Sequence, residues 1–200
     1  MIVSDEIYEK VIFDGFEQHS ICSIGKEVQN NSILINGVSK SYAMTGWRIG
    51  YLAANEEIVK QAGKLQGQST SNPTSISQMA SITALNDTEA DVSQMADEFQ
   101  KRRDTLLNCL LKIPFVACYK PVGSFYTFPD FSAFYGKSFK GEKIEDSIQL
   151  ANFLLEEGKV ALVPGIAFGA DRNLRLSFAA SMDTIKKGVD RITKALDLLE

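Results

Sequence analysis

The chain has 200 residues, of which 44% are hydrophobic and 23% are charged, and its formal net charge is −4. This composition is typical of an ordinary soluble globular protein with one large or two small domains, and it excludes disordered and low-complexity classes. The charge balance argues against a nucleic-acid partner, and no apolar run reaches the roughly 18 residues of a membrane-spanning helix.

In the first half, short apolar runs alternate with helical patterns, which predicts an α/β domain with a mainly parallel sheet. Buried strands are predicted at MIVS, SILIN and RIGYLAA. Helices are predicted over EEIVKQAGKLQGQ and after Asn72-Pro73, where the proline favours a helix boundary. A long helical pattern from Ala90 to Lys112 indicates a linking helix, and we expect the domain change near residue 97.

After Pro114, the runs FVACYK and SFYTF predict a strand pair, and a loop is expected from Tyr135 to Lys143. A helix through Ile148–Leu154 follows, and then strands VALV and NLRLSF on either side of a turn. In NLRLSF, the apolar side chains share one face while Arg175 points the other way.

The last helix is predicted to begin after Ser181, a plausible N-cap. Its apolar stripe consists of Ile185, Val189, Ile192, Leu196 and Leu199.

The three cysteines, Cys22, Cys109 and Cys118, lie far apart and form no C-x-x-C pair. With His19 as the single histidine, neither a disulfide framework nor a metal site is predicted. The start MIVSDEIYEK lacks the features of a signal peptide, so we expect a cytoplasmic protein with no membrane partner.

The segment from Gly37 to Gly50 follows directly on the strand SILIN. A lysine after a buried strand lies at the carboxyl edge of the sheet, where open α/β sheets bind ligands, so Lys40 is suited to Schiff-base chemistry. Arg48, flanked by glycines, can offer a planar fork to a phosphate. The alternative is an ordinary surface lysine and arginine in a glycine-containing turn.

This segment resembles the lysine signature of fold-type I aminotransferases, which use pyridoxal phosphate. The matching positions are Gly37, Ser39, Lys40, Ala43, Met44, Gly46, Arg48, Ile49 and Gly50. The resemblance implies a fold-type I α/β architecture. Residues 1–96 are then the later part of the large cofactor-binding domain, and residues 97–200 are the small C-terminal α+β domain.

Two further elements resemble the same family. Asp5 and Tyr8 match its D-x-x-Y element, whose carboxylate keeps the pyridine nitrogen protonated and whose phenol hydrogen-bonds the ring oxygen. Both can reach one ring only if the chain bends after Asp5. Arg175 matches an R-[LI]-S-[FY] strand whose arginine binds the substrate α-carboxylate. The alternative roles are a strand-end cap for Asp5, a half-buried aromatic ring for Tyr8 and a solvated position on a half-exposed sheet face for Arg175.

Weaker matches agree in order along the chain. Ser71-Asn72-Pro73 resembles the family segment that approaches the partner subunit's cofactor phosphate, which implies a homodimer. Gly123–Tyr126 resembles the strand near the substrate mouth, and Val163–Gly165 resembles the turn before the last strands. The pattern is closest to bacterial-type aspartate aminotransferases.

The resemblance implies transamination between an amino acid, with aspartate-like donors favoured, and a 2-oxo acid such as 2-oxoglutarate. Lys40 is the expected catalytic residue. Alternatives that stay open are a non-catalytic fragment or module of the same fold, and a β-eliminating lyase that uses the same cofactor.

Family members are about twice as long, so we expect that the part with the phosphate loop is missing here. Two positions within the chain also depart from the family pattern. Gly37 replaces a phosphate-binding serine of many members, and Gly67 replaces an arginine that reads the distal carboxylate in some aspartate enzymes. The second departure weighs against dicarboxylate specificity.

Overall fold

The computed structural model describes residues 1–200, which divide into two compact units, Met1–Asp97 and Glu98–Glu200. The elements that begin in the first unit are β1 Ile2–Asp5, α1 Lys26–Asn30, β2 Ser32–Gly37, β3 Gly50–Ala53, α2 Glu56–Ser69, α3 Ser75–Asp87 and α4 Glu89–Leu110. The long helix predicted from the sequence is α4, which runs from the first unit into the second.

The three strands of the first unit form one sheet in the order β1-β2-β3. β1 and β2 are parallel, with Asp5 opposite Ile35, whereas β2 and β3 are antiparallel, with Gly37 opposite Gly50. The strands are therefore where the sequence predicts them, but only one of the two pairings is parallel. The segment between β2 and β3 holds a single 3-10 turn and no crossover helix, so β3 returns in the opposite direction.

Burial of these strands differs from the prediction. β1 and β3 carry exposed apolar side chains instead of the buried ones expected. These side chains are Ile2, Val3, Tyr51 and Leu52.

The second unit contains a three-stranded antiparallel sheet in the order β4-β8-β7. Its elements are β4 Tyr126–Thr127, β5 Ser138–Phe139, β6 Glu142–Lys143, α5 Ser147–Glu156, β7 Val163–Pro164, β8 Leu174–Ser177 and α6 Met182–Leu196. Leu174, Leu176 and Phe178 are buried beneath the sheet, which confirms the face predicted for them.

The last helix also agrees with the sequence. The Ser181 hydroxyl accepts a hydrogen bond from the Thr184 N–H and caps α6, and the whole predicted apolar stripe is buried. No helix is both long and apolar enough to cross a membrane. The three cysteines are free thiols, and burial raises the pKa of Cys118.

The pairing predicted between FVACYK and SFYTF is wrong, although SFYTF contains β4 and Ala117 of FVACYK forms one isolated antiparallel bridge with Asp130. Phe115 has a positive φ of 66° and Tyr119 is 98% exposed, so this stretch cannot alternate between a buried and a solvent face. β4 pairs instead with β8, from which it is separated by about fifty residues of chain. The predicted loop after Tyr135 contains a hairpin, β5–β6, whose turn uses Gly141 at a φ of 85°.

The hydroxyl of Thr127 in β4 is buried and has no hydrogen-bond partner. We predict that Thr127→Val raises the free energy of unfolding by about 1 kcal/mol, because it removes an unsatisfied polar group while keeping the shape. Urea denaturation measures the change. Thr193→Val is the matched control and should give no gain, since the Thr193 hydroxyl donates to the Val189 carbonyl at 2.9 Å. A loss for Thr127→Val would contradict the reading of an orphaned hydroxyl.

Candidate active site

The topology of the first sheet gathers three of the predicted site residues at one edge. Asp5 ends β1, and Lys40 follows the end of the parallel strand β2 by three residues. β3 is antiparallel and so begins at the same edge, two residues after Arg48. Asp5, Lys40 and Arg48 thus all lie where parallel strands present their carboxyl ends.

The chain turns immediately after Asp5. Its carboxylate Oδ1 accepts a hydrogen bond from the Ile7 N–H at 3.2 Å, and turns continue through Lys10. This is the bend that the D-x-x-Y element requires. It brings the Tyr8 ring to Lys40, with 5.9 Å between the ring centroid and Nζ.

Glu6, which lies between Asp5 and Tyr8 in the sequence, is buried and holds the turn against the rest of the unit. Its Oε1 accepts hydrogen bonds at 3.1 Å from the Ser4 hydroxyl, the Ser20 hydroxyl and the Ile21 N–H. Sequence reasoning missed this residue, because an acidic pair at a strand end gives no signal of burial.

The segment that carries Lys40 is closed at its base by backbone contacts. The Val38 N–H donates to the Ile49 carbonyl at 3.4 Å, and the Met44 N–H donates to the Val38 carbonyl at 3.3 Å. Gly37 lies so close to the returning chain that an added Cβ would stand 2.8 Å from the Ile49 oxygen. The glycine is therefore needed for the packing of the two chain segments.

Arg48 leaves this loop in a left-handed conformation with a φ of 58°. Its Nη1 donates to the Thr45 carbonyl at 2.9 Å, and the side chain is otherwise exposed. Ala43, in the same loop, also has a positive φ. Non-glycine residues held in this region are strained, and such residues concentrate at functional sites.

Ser71 lies in the connection between α2 and α3, exposed and with a φ of 61°. No hydrogen bond joins it to the sheet edge, so its predicted role toward a partner stays a prediction. Gly67 lies on α2 with open space around it. His19 is exposed.

Arg175 lies in the second unit, on the central strand β8. Its side chain is half-buried, and its guanidinium forms no ion pair or hydrogen bond with another residue of the chain. Two aromatic rings contact it instead, with 4.4 Å from Cζ to the Tyr126 centroid and 4.7 Å to the Phe168 centroid. Sequence reasoning missed Phe168, which lies in a turn with no periodic pattern.

The turn that carries Phe168 is a 3-10 segment, Gly165–Phe168, anchored by a buried hydroxyl. Ser147 Oγ accepts from the Ile166 N–H at 3.2 Å and donates to Asp171 Oδ1 at 2.6 Å. The Tyr135 hydroxyl donates to the Asp171 carbonyl. Burial, together with nearby carboxylates, raises the pKa of Tyr135 to about 12, so this hydroxyl remains a donor at neutral pH.

Comparison with known proteins gives one consistent family. Residues 1–192 match the family model for class I and II aminotransferases. The probable aspartate/prephenate aminotransferase of Rickettsia typhi is 45% identical over 199 residues, which are 99% of this chain and 50% of that protein.

Two solved structures agree in fold. The aspartate aminotransferase of Rhizobium meliloti superposes with a TM-score of 0.95 at 39% identity, covering 99% of this chain and 50% of that one. The aspartate aminotransferase of Thermus thermophilus with maleate gives a TM-score of 0.84 at 35% identity, covering 96% and 47%. The chain belongs to the class I and II aminotransferases, with the predicted fold-type I architecture, and spans about half the length of the relatives it matches.

The contact between Gly37 and Ile49 generates a stability prediction. Gly37→Ala should lower the free energy of unfolding by about 1–3 kcal/mol, because the new methyl group must push the Ile49 carbonyl away. Gly46→Ala, in the same loop but with open space around it, should change the value by less than about 0.5 kcal/mol. Equal effects in denaturant titrations would show that the close contact does not constrain the loop.

Proposed function

We propose that this chain is the carboxyl-terminal half of a pyridoxal-phosphate-dependent aminotransferase, which moves an amino group between an aspartate-like amino acid and a 2-oxo acid such as 2-oxoglutarate. The observation that carries the proposal is the convergence of Asp5, Lys40 and Arg48 on one sheet edge in a chain of this family. The names of the relatives support the aspartate-like donor.

The chemistry of these side chains fits the cofactor. Lys40 offers the amine to which it attaches, Asp5 offers a carboxylate for the ring nitrogen, and Tyr8, beside Lys40, offers a phenol for the ring oxygen. Arg48 offers a guanidinium for the phosphate, with Ser71 of a second subunit as its proposed companion. When bound, pyridoxal phosphate supplies an electron sink that acidifies the α-carbon of the amino acid.

Lys40 then acts as general base and general acid. Its amine would remove the proton from the substrate α-carbon, hold it, and deliver it to the C4′ carbon of the cofactor rather than back to the α-carbon, as the change from amino acid to 2-oxo acid requires. The backbone contacts that close the loop at Val38 keep this amine on a rigid support.

Arg175 binds the α-carboxylate of the substrate in this proposal. A guanidinium with no carboxylate partner in its own chain has its donors available for a bidentate pair with a ligand. This pair orients the amino acid but takes no part in proton transfer.

We further propose that residues 1–96 form part of the large cofactor-binding domain, that residues 97–200 form the small domain, and that the enzyme is a two-fold homodimer. Exposed apolar side chains on α3 support an assembly, since exposed apolar surface is often covered by other polypeptide. These side chains are Ile76, Met79, Ile82 and Leu85. The cytoplasmic location expected from the sequence stays a prediction.

The first test concerns Lys40. Lys40→Ala should lower the transamination rate by about a thousandfold or more, because the general base is lost. The fold should stay intact, because the backbone contacts that close the loop do not involve the lysine side chain. Borohydride reduction followed by peptide mass spectrometry should attach the cofactor to Lys40 in the unmodified protein and nowhere in the variant. Lys60→Ala, which removes an exposed ion pair with Glu56, is the control. Turnover by the Lys40 variant without added amine would refute the assignment.

The second test concerns Arg175. Arg175→Ala should lower kcat/KM for every α-carboxylate substrate by roughly thirtyfold to several thousandfold, because a transition-state stabilisation of about 2–5 kcal/mol is lost. Arg172→Ala is the matched control, because Arg172 is exposed and pairs only with Asp130 and Ser132 at the surface. A loss confined to one amino-acid side chain would instead assign Arg175 to a specificity pocket.

A further inference from the structure

The two aromatic rings on Arg175 suggest a role beyond packing. Tyr126 and Phe168 both lie within the distance of a cation–π contact, and they reach the guanidinium from separate elements, β4 and the turn after β7. We propose that Tyr126 and Phe168 are positioning residues that clamp the Arg175 guanidinium, leaving its N–H edge to receive a planar carboxylate. This inference rests on the proposed function of Arg175.

Strand register explains how Tyr126 reaches the guanidinium. β4 pairs with β8 so that Tyr126 is opposite Ser177 and Thr127 is opposite Leu176. Opposite residues share a face and alternate residues return to it, so Tyr126, Ser177 and Arg175 lie on one side of the sheet. Arg175 itself is opposite Val163 of β7, and the reverse face of β8 is buried. The strand that carries Arg175 is therefore held on both edges and from behind.

Phe168 arrives from the turn after β7. An added Cβ on Gly165 would stand 2.2 Å from the carbonyl oxygens of both Ala170 and Asn173, so this turn closes only around a glycine. Ser147 fixes its second residue through the Ile166 N–H. The Phe128 ring packs edge-on against Phe168 with 5.8 Å between centroids. Although Phe168 is half-exposed, its position is thus set from several directions.

A clamp of this kind has a definite chemical consequence. An arginine side chain free to rotate must be ordered when a ligand binds, and that ordering weakens binding. With two rings against it, the guanidinium is ordered in advance, and its donors lie in its own plane. A carboxylate is planar and accepts two parallel N–H bonds in that plane. The clamp should therefore strengthen substrate binding more than it speeds proton transfer.

The contribution of the rings separates from a merely structural role in one experiment on the cofactor-loaded protein. The dissociation constant of maleate, an unreactive dicarboxylate, is measured by calorimetry alongside KM and kcat for aspartate. Phe168→Leu and Tyr126→Leu should each weaken maleate binding and raise KM by between about threefold and thirtyfold, with kcat changed by less than about threefold. Phe168→Tyr and Tyr126→Phe keep the rings and should restore both values.

Matched controls decide between outcomes. Phe139→Leu removes the ring of another cation–π pair in the same unit, with Lys140 at 4.6 Å, and should leave maleate binding unchanged. If Arg175→Ala abolishes maleate binding but the two leucine variants bind like the unmodified protein, the clamp is overturned and the proposed function stands. If Arg175→Ala binds maleate normally, the proposed role of Arg175 fails as well. A fall in kcat and in melting temperature at constant maleate affinity would show that both rings have only a structural packing role.

Discussion

Parallel pairing of β1 with β2 is the constraint on which the first half of the candidate site depends. It sets Asp5 opposite Ile35, so the turn after Asp5 and the loop after Gly37 leave the sheet side by side. The antiparallel return of β3 then brings Arg48 back to the same edge. A shift of β1 by one residue would exchange the faces of its side chains and would turn Asp5 away from the loop that carries Lys40. Site chemistry here follows from strand register.

The packing of the loop that carries Lys40 also depends on this register. Gly37 and Gly50 are opposite each other, and the Ile49 oxygen lies where a Gly37 side chain would stand. Because that space is taken, a serine at position 37 could not contribute a hydroxyl without moving β3. The departure from the family serine is thus coupled to the close approach of β2 and β3.

Local patterns made most of the helices and half of the site predictable. The α6 stripe and the Ser181 cap depend on residues three and four apart, and the lysine segment was identified from a contiguous stretch of sequence. The failures involve partners that are distant in the chain. The segment FVACYK has strand-like composition, but β4 pairs with β8 instead. That pairing satisfies the hydrogen bonds of β4, and Tyr119 of FVACYK is left exposed to solvent. The ring of Phe168 meets Arg175 only through the fold of a glycine turn.

The two units differ in how far they can support their own site residues. Of the buried apolar side chains, 6 lie in residues 1–97 and 21 in residues 98–200. The second unit therefore carries Arg175 on a core of its own, with Phe178 and Leu174 fully buried behind it. The first unit carries Lys40 on a sheet whose outer strands are exposed, in a chain half as long as its relatives. Order at Lys40 therefore rests on the backbone contacts of its own loop, whereas Arg175 has a buried core directly behind it. Arg175 and its aromatic rings are for this reason the part of the proposed site whose geometry follows most directly from these 200 residues.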